Sequence, residues 1–255
     1  MRTLRIATYN IHKGRGLDGR RLVERIAGVL EKVDADIVAL QEVVNHVGPS
    51  IEDHQAAYLA QRLGLTYAIG ETRKHRGGVY GNVTLSRFGF ELVRQIDLSV
   101  AGREERGTLR TDIRAGRHLV HVFNVHLGVA HRERRKQAAR LLDRDLLRAV
   151  DISGPRIVLG DFNEWTHGLV TRTLSAEFHF RDIAAHLPRT RSYPAILPLL
   201  HLDHIYCDHH LKIVCARFQR DRLSLVASDH LPLVAELAIE ECLASPSASL
   251  ASSKT

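Results

Sequence analysis

The chain has 255 residues, 44% hydrophobic and 25% charged, an ordinary globular composition with enough length to bury a sizeable core. A formal net charge of +7 either draws the chain towards polyanions (nucleic acid, anionic headgroups, polyphosphates) or serves only as a solvated basic surface. Cys207, Cys215 and Cys242 are odd in number and lack metal-ligand spacing, which argues against a disulfide framework and a cysteine zinc site, and no apolar run approaches the ~20 residues of a membrane span. The opening segment lacks the apolar core of a signal peptide, so a reducing, cytoplasmic location is expected.

In chain order, "LRIATYN" (4–10) reads as a short strand. Residues 19–33 place Leu22, Ile26, Val29, Leu30 and Val33 at helical spacing. "DIVALQEV" (36–43) is an apolar run with a polar end, as in a buried strand, and 54–64 is a helix closed by Gly64. The first seventy residues therefore read β-α-β-α-β. A strand-rich middle follows over 77–88, 91–100, 107–115 and 117–128, with "AGR" as a hairpin turn. Residues 131–150 read as one long helix with a solvated basic side. Strands are expected again at 155–163, 202–208, 211–218 and 231–239. This mixture of β-α and β-β segments argues against an all-parallel Rossmann sheet and for two packed sheets with helices outside. One domain is expected over 1–240, and the small polar residues 241–255 read as a disordered tail. No internal repeat stands out.

The apolar runs share one peculiarity: each has a polar rim. The first ends at Asn10, the second at Gln41 and Glu42, the run 119–125 at His126, and 157–159 at Asp161 and Asn163. "HLDHIY" carries Asp203 and "ASDHLPLV" carries Asp229 and His230. Alone, each has an ordinary explanation: a capping Asp, a half-buried His, a Glu paired with Arg. Lone carboxylates at buried strand ends are costly. If the rims converge, the carboxylates can share a cation, and rigid strands fix the geometry.

The order of these pieces resembles the endonuclease/exonuclease/phosphatase superfamily, deoxyribonuclease I-like. The matching segments are "TYNIHKG" with Asn10, "IVALQEV" with Glu42, "GNVTLSR" with Asn82, "NVHLG" with His126, "GDFNEW" with Asp161 and Asn163, "LDHIY" with Asp203, and "SDHLPLVAEL" with Asp229 and His230. The resemblance implies a four-layer α/β sandwich, with two mostly antiparallel mixed sheets face to face and helices outside. It implies a metal-dependent phosphoric ester hydrolase, with Glu42, Asn10 and Asp229 as ligands of Mg²⁺ or Mn²⁺; oxygen ligands suit these hard cations. Asp161 resembles the group that orients or deprotonates the attacking water, and Asn163 a donor to the phosphoryl oxygens. His230 resembles the imidazole on the scissile phosphate, with Asp203 its carboxylate partner. His126 resembles the second histidine, a general acid at the leaving oxygen, and Asn82 falls in a substrate-binding segment. Whether one metal or two works there is left open.

The histidine in "NVHLG" resembles the sphingomyelinase, deoxyribonuclease and phosphatase branches more than AP endonucleases. Substrate readings therefore run from a phosphodiester or phosphate ester (a lipid headgroup or small molecule) to DNA, cut by a Mg-dependent nuclease. A non-catalytic module is disfavoured because every expected catalytic residue type is present. Aromatic residues are only 5%, which argues against stacking on single strands. "YPAILPLLHL" is expected to pack on the core, although exposed it could make peripheral contact with a membrane. Lys13 and Arg15 fall either near the cleft or in a solvated turn. A monomer is expected.

Overall fold

The structure is a computed structural model and describes residues 3–75, 77–143, 146–165, 168–188 and 191–240. The expected tail at 241–255 lies outside the described residues. Alternation organises the strands. In β1 (Thr3–Asn10), Leu4 and Ile6 face one side, Ala7 and Tyr9 the other, and all four are buried. β2 (Ile37–His46) does the same with Ile37 and Ala39 against Val38 and Leu40. A strand buried on both faces needs a layer on each side.

β1, β2, β3 (Thr66–His75), β4 (Gly78–Ser86), β11 (Leu211–Phe218) and β12 (Leu233–Ile239) form one six-stranded sheet, ordered β11-β12-β1-β2-β4-β3. β5 (Phe90–Asp97), β6 (Gly107–Ala115), β7 (His118–His126), β8 (Arg156–Asp161), β9 (Arg181–Asp182) and β10 (Asp203–Cys207) form the second, ordered β5-β6-β7-β8-β10-β9. In each sheet the central pair is parallel (β1 with β2, β7 with β8) and its neighbours are antiparallel. A parallel pair needs a crossover. α1 (Val23–Val33) supplies it in the first sheet and α3 (His131–Leu141) in the second.

Three cores separate four layers. Leu4, Ile6, Ile37, Val122, Leu159 and Ile205 meet between the sheets. α1 and α2 (Gln55–Leu63) cover the first sheet through Ile26, Leu30 and Leu59. α3 and α4 (Leu169–Phe178) cover the second, with Ala138, Leu141 and Leu174 packed near Phe123 and Val158. The expected sandwich is the one observed.

Two expected helix bounds shift. α1 begins at Val23, not residue 19, because Gly19 takes φ +78° and Leu22 is extended. α3 stops at Leu141 rather than 150, yet Leu146 and Leu147 are buried in the same core. The helical spacing there reflects packing by turns, not a continued helix. α4 was not anticipated.

Candidate active site

Towards one end, the inter-sheet core turns from apolar to polar. Gln41 Nε2 donates to Asn124 Oδ1 at 2.8 Å and to Thr8 Oγ1 at 3.1 Å. Asn124 Nδ2 donates across the sheets to the carbonyls of Leu40 at 3.1 Å and Val83 at 3.0 Å. Asn82 Nδ2 donates to the carbonyls of Gly107 at 3.1 Å and Asn124 at 3.0 Å. These buried bonds hold the sheets in register beneath the site. Asn82 thus spends its amide hydrogens on backbone, and a substrate contact from it would have to use Oδ1.

Above this layer sit the strand ends. Register places Asp161 of β8 opposite both His126 of β7 and Asp203 of β10. In the first sheet, Asn10 pairs with Gln41. A regular strand would aim only one of Gln41 and Glu42 inward. β2 solves this with a bulge: Leu40 pairs with Val83 and Val43 with Gly81, so two residues face Asn82. Glu42 takes φ +57°, a conformation costly for a non-glycine residue, of order 1–3 kcal/mol, and typical of functional sites. Gln41 stays in the core while Glu42 reaches the cleft. Asn163, at φ +49°, is turned similarly and donates Nδ2–H to the Leu127 carbonyl at 2.9 Å.

Asp161 is the hub. Its Oδ2 accepts from Asn10 Nδ2 at 3.0 Å, and His126 Nε2 and His230 Nε2 lie 3.7 and 3.8 Å away. Its Oδ1 accepts from the Asn163 backbone N–H at 2.9 Å. Asn10 Nδ2 also reaches Glu42 Oε1 at 3.3 Å. His230 Nδ1 bonds Asp203 Oδ2 at 2.8 Å, and Asp203 Oδ1 is buried without a partner among the described residues. Asp229 lies beside Asn10: Ser228 Oγ donates to the Asn10 carbonyl at 2.8 Å and lies 3.3 Å from Asp229 Oδ1, and His12 Nδ1 is 3.5 Å from Asp229 Oδ2. Tyr193 packs on His230, ring centroids 4.9 Å apart. Burial, and then the charges of Asp229, Asp161 and Glu42, raise the Tyr193 phenol above its ordinary value.

The electrostatics separate the roles. Burial, and then the Arg106 guanidinium, depress His126 to about 3, so it is a neutral imidazole at pH 7. Burial also pushes Asp161 up; His230 pulls it down and Asp203 pushes it up again, leaving it at about 6. For His230, burial opposes the charge, but Asp203 and Asp161 outweigh it and raise the group to about 10. Burial works against Glu42 too, yet the charges of His126 and Lys13 and the Asn10 amide hold it at about 2. Since His126 is neutral, Lys13 and Asn10 carry that effect. The cleft thus contains an imidazolium, a neutral imidazole, a carboxylate near its titration point and a firmly ionised carboxylate.

Lys13 settles near the cleft: its Nζ is 3.2 Å from Glu42 Oε2 and 5.6 Å from the Tyr80 ring. Sequence reasoning missed Tyr193, Tyr80 and Arg106; no motif in the sequence marks them. Among the described residues, no three His, Cys, Asp or Glu side chains converge as a metal-holding group. The oxygen set of Glu42, Asp229 and Asn10 nonetheless has the chemistry of a hard-cation site, because Mg²⁺ takes one or two carboxylates and keeps several waters. Lys13 already shows that Glu42 draws positive charge.

Residues 7–230 match the family model described as the Endonuclease/Exonuclease/phosphatase family. The uncharacterised protein YbhP of Escherichia coli (strain K12) is 32% identical over 250 residues, covering 92% of this chain and 96% of the relative. Among solved structures, an endonuclease/exonuclease/phosphatase from Beutenbergia cavernae superposes with a TM-score of 0.73 at 24% identity, over 94% of this chain and 72% of that one. The mannosyl-6-phosphatase of Bacteroides thetaiotaomicron superposes with a TM-score of 0.73 at 17% identity, over 92% of this chain and 100% of its own. At these identities the structural likenesses speak to the fold.

Proposed function

Since the chain belongs to the endonuclease/exonuclease/phosphatase family, whose members hydrolyse phosphoesters, we propose that it is a divalent-metal-dependent phosphoester hydrolase acting by in-line attack of water. The observation that carries this reading is the convergence of Asn10, His126 and His230 on one carboxylate oxygen, Asp161 Oδ2, so that four separate stretches of chain meet there.

The roles follow from the electrostatics. Asp161, ionised at neutral pH but close to its titration point, accepts a proton from water held between it and the phosphorus. Asn10 and the Asn163 backbone fix that carboxylate. His230, kept as an imidazolium by Asp203, faces the anionic phosphoryl oxygens and offsets charge that grows in the transition state. His126 offers a neutral N–H; the negative charge of a bound phosphate would raise its pKa towards a donor's range at the leaving oxygen. Glu42, Asn10 and Asp229 would hold Mg²⁺ or Mn²⁺, which supplies Lewis-acid stabilisation of the phosphoryl and leaving oxygens. Lys13 would yield Glu42 to that cation.

The proposed substrates are phosphodiesters or phosphate esters of lipid headgroups and small molecules. The competing reading is a Mg-dependent DNA nuclease. Purified protein with Mg²⁺, Mn²⁺ or a chelator is assayed against bis(p-nitrophenyl) phosphate, phospholipid vesicles and supercoiled plasmid. Metal-dependent release of nitrophenol and of headgroup or phosphate supports the proposal. Plasmid nicking alone would favour the nuclease, and no hydrolysis of any of the three would overturn both.

A further inference from the structure

The segment "YPAILPLLHL" packs on the core only at its ends: Ala195 and Leu202 are buried, but its middle is not. Tyr193 and Ala195 anchor it to the site, through the His230 ring and through the Ala195 N–H donated to the Asp229 carbonyl at 2.7 Å. Beyond them Ile196 is 61% exposed, Leu197 63% and Leu199 54%. Three large aliphatic side chains in water within four residues form an apolar tip, where isolated exposure would need no explanation.

The tip borders a groove of about 770 Å³, whose apolar walls include Leu197, Phe218 and Leu231 and whose lining also holds Arg191, Arg217 and Arg220. Leu231 of the groove directly follows His230, and its N–H donates to the Ser192 carbonyl at 3.1 Å, one residue before Tyr193 on the His230 ring, so the groove adjoins the cleft. The three arginines are exposed, and none pairs with a carboxylate among the described residues. An apolar tip beside a groove that carries three unspent guanidinium groups complements one kind of surface: acyl chains beneath anionic phosphates. A protein partner of matching chemistry would need an acidic rim around an apolar pocket; a bilayer presents that layering everywhere.

We propose that residues 194–199 form an interfacial tip that enters an anionic phospholipid bilayer, with Arg191, Arg217 and Arg220 on the lipid phosphates, and that phosphate esters of membrane lipids are therefore the substrate class. This rests on the hydrolase reading above and narrows its substrate. The tip delivers the adjoining cleft to the headgroup layer, where the scissile phosphate of a lipid lies. Among the described residues no helix is long and apolar enough to cross a membrane, and an interfacial tip requires none.

The test is co-sedimentation with vesicles of phosphatidylcholine alone and of phosphatidylcholine mixed with phosphatidylglycerol. The wild type should bind the anionic vesicles and leave the neutral ones, and added salt should weaken binding. The triple variant Ile196→Ser, Leu197→Ser, Leu199→Ser should lose at least about tenfold in affinity. Arg217→Ala and Arg220→Ala should each lose about fivefold. Both sets should hydrolyse soluble bis(p-nitrophenyl) phosphate at the wild-type rate, which also confirms that they fold. Wild-type sedimentation equal on both vesicle types, or a triple variant that binds as well as wild type, overturns the tip. So does light scattering that shows a wild-type dimer abolished by the serine variant, since a second copy would then cover the face. Loss of the tip leaves soluble-ester hydrolysis standing; absence of all hydrolysis with vesicle binding intact removes the hydrolase reading instead.

Discussion

Replacing Gly160 with alanine should disable the site without altering any polar side chain in it. Gly160 sits in β8 just before Asp161, at φ +145°, where other residues are strained. A Cβ there would lie 1.9 Å from the Val125 carbonyl oxygen of β7, which is backbone and cannot swing aside. Relief to an ordinary 3.4 Å requires the parallel strands to part by about 1.5 Å. Asp161 works at 3.0 Å from Asn10 and under 4 Å from both histidines, so such a shift dismantles its contacts. Backbone strain and overpacking together cost about 4 kcal/mol, or roughly 8–16 °C in melting temperature for a chain of this size. Misplacement by ~1 Å costs about 100-fold in rate, so kcat/KM on bis(p-nitrophenyl) phosphate should fall at least that far. Gly102→Ala is the control: at φ +72° its Cβ would meet nothing within 4 Å, so it carries backbone strain only. Gly160→Ala with more than half of wild-type activity and an unshifted melt would refute the claim that this glycine sets the β7–β8 spacing for Asp161.

Three further substitutions probe separate groups. Glu42→Gln keeps the shape but removes the ionised oxygen, so activity should fall about 100-fold or more and Mn²⁺ affinity should drop in calorimetry; unchanged Mn²⁺ binding would remove Glu42 from the metal site. Asp203→Asn removes the negative charge behind the 2.8 Å bond that orients and charges His230, so kcat should fall about 10²–10⁴-fold with KM nearly unchanged; a pure KM effect would contradict that role. Asp182 lies 3.7 Å from His204 Nδ1. Burial works against the charge on His204, but Asp182 raises it above its ordinary value, so this stability is fully present below an unfolded histidine's pKa and is lost as pH rises through the folded one. Asp182→Asn should therefore cost about 2 kcal/mol, or roughly 4–8 °C, near pH 5.5 and less at pH 8.5; an equal or larger loss at the higher pH would contradict the pairing.

Most strand bounds were legible because apolar alternation and Gly punctuation are local: 107–115 was read to the residue as β6. The polar rims were legible for the same reason, since an acid ending an apolar run is visible without a partner. What could not be read depends on backbone conformation or on distant contacts. Nothing in "LQEV" announces that a bulge splits Gln41 into the core and Glu42 into the cleft. Asn82 was legible as a polar residue of a family segment, but not as the donor whose amide bridges the sheets, a placement that only the third dimension supplies. Lys13 was visible as a charge, not as Glu42's partner. The tip at 196–199 was expected in the core because hydropathy alone does not show whether an apolar run has neighbours.

The hydrolase reading stands or falls on a cation shared by side chains from both ends of the chain. Crystals grown with Mn²⁺ and measured for anomalous scattering test this directly. The expected result is a strong peak about 2.0–2.2 Å from a Glu42 carboxylate oxygen, with Lys13 displaced and Asn10 or Asp229 in the same coordination sphere. Anomalous density that avoids Glu42, with Lys13 still against its carboxylate at saturating Mn²⁺, would contradict it.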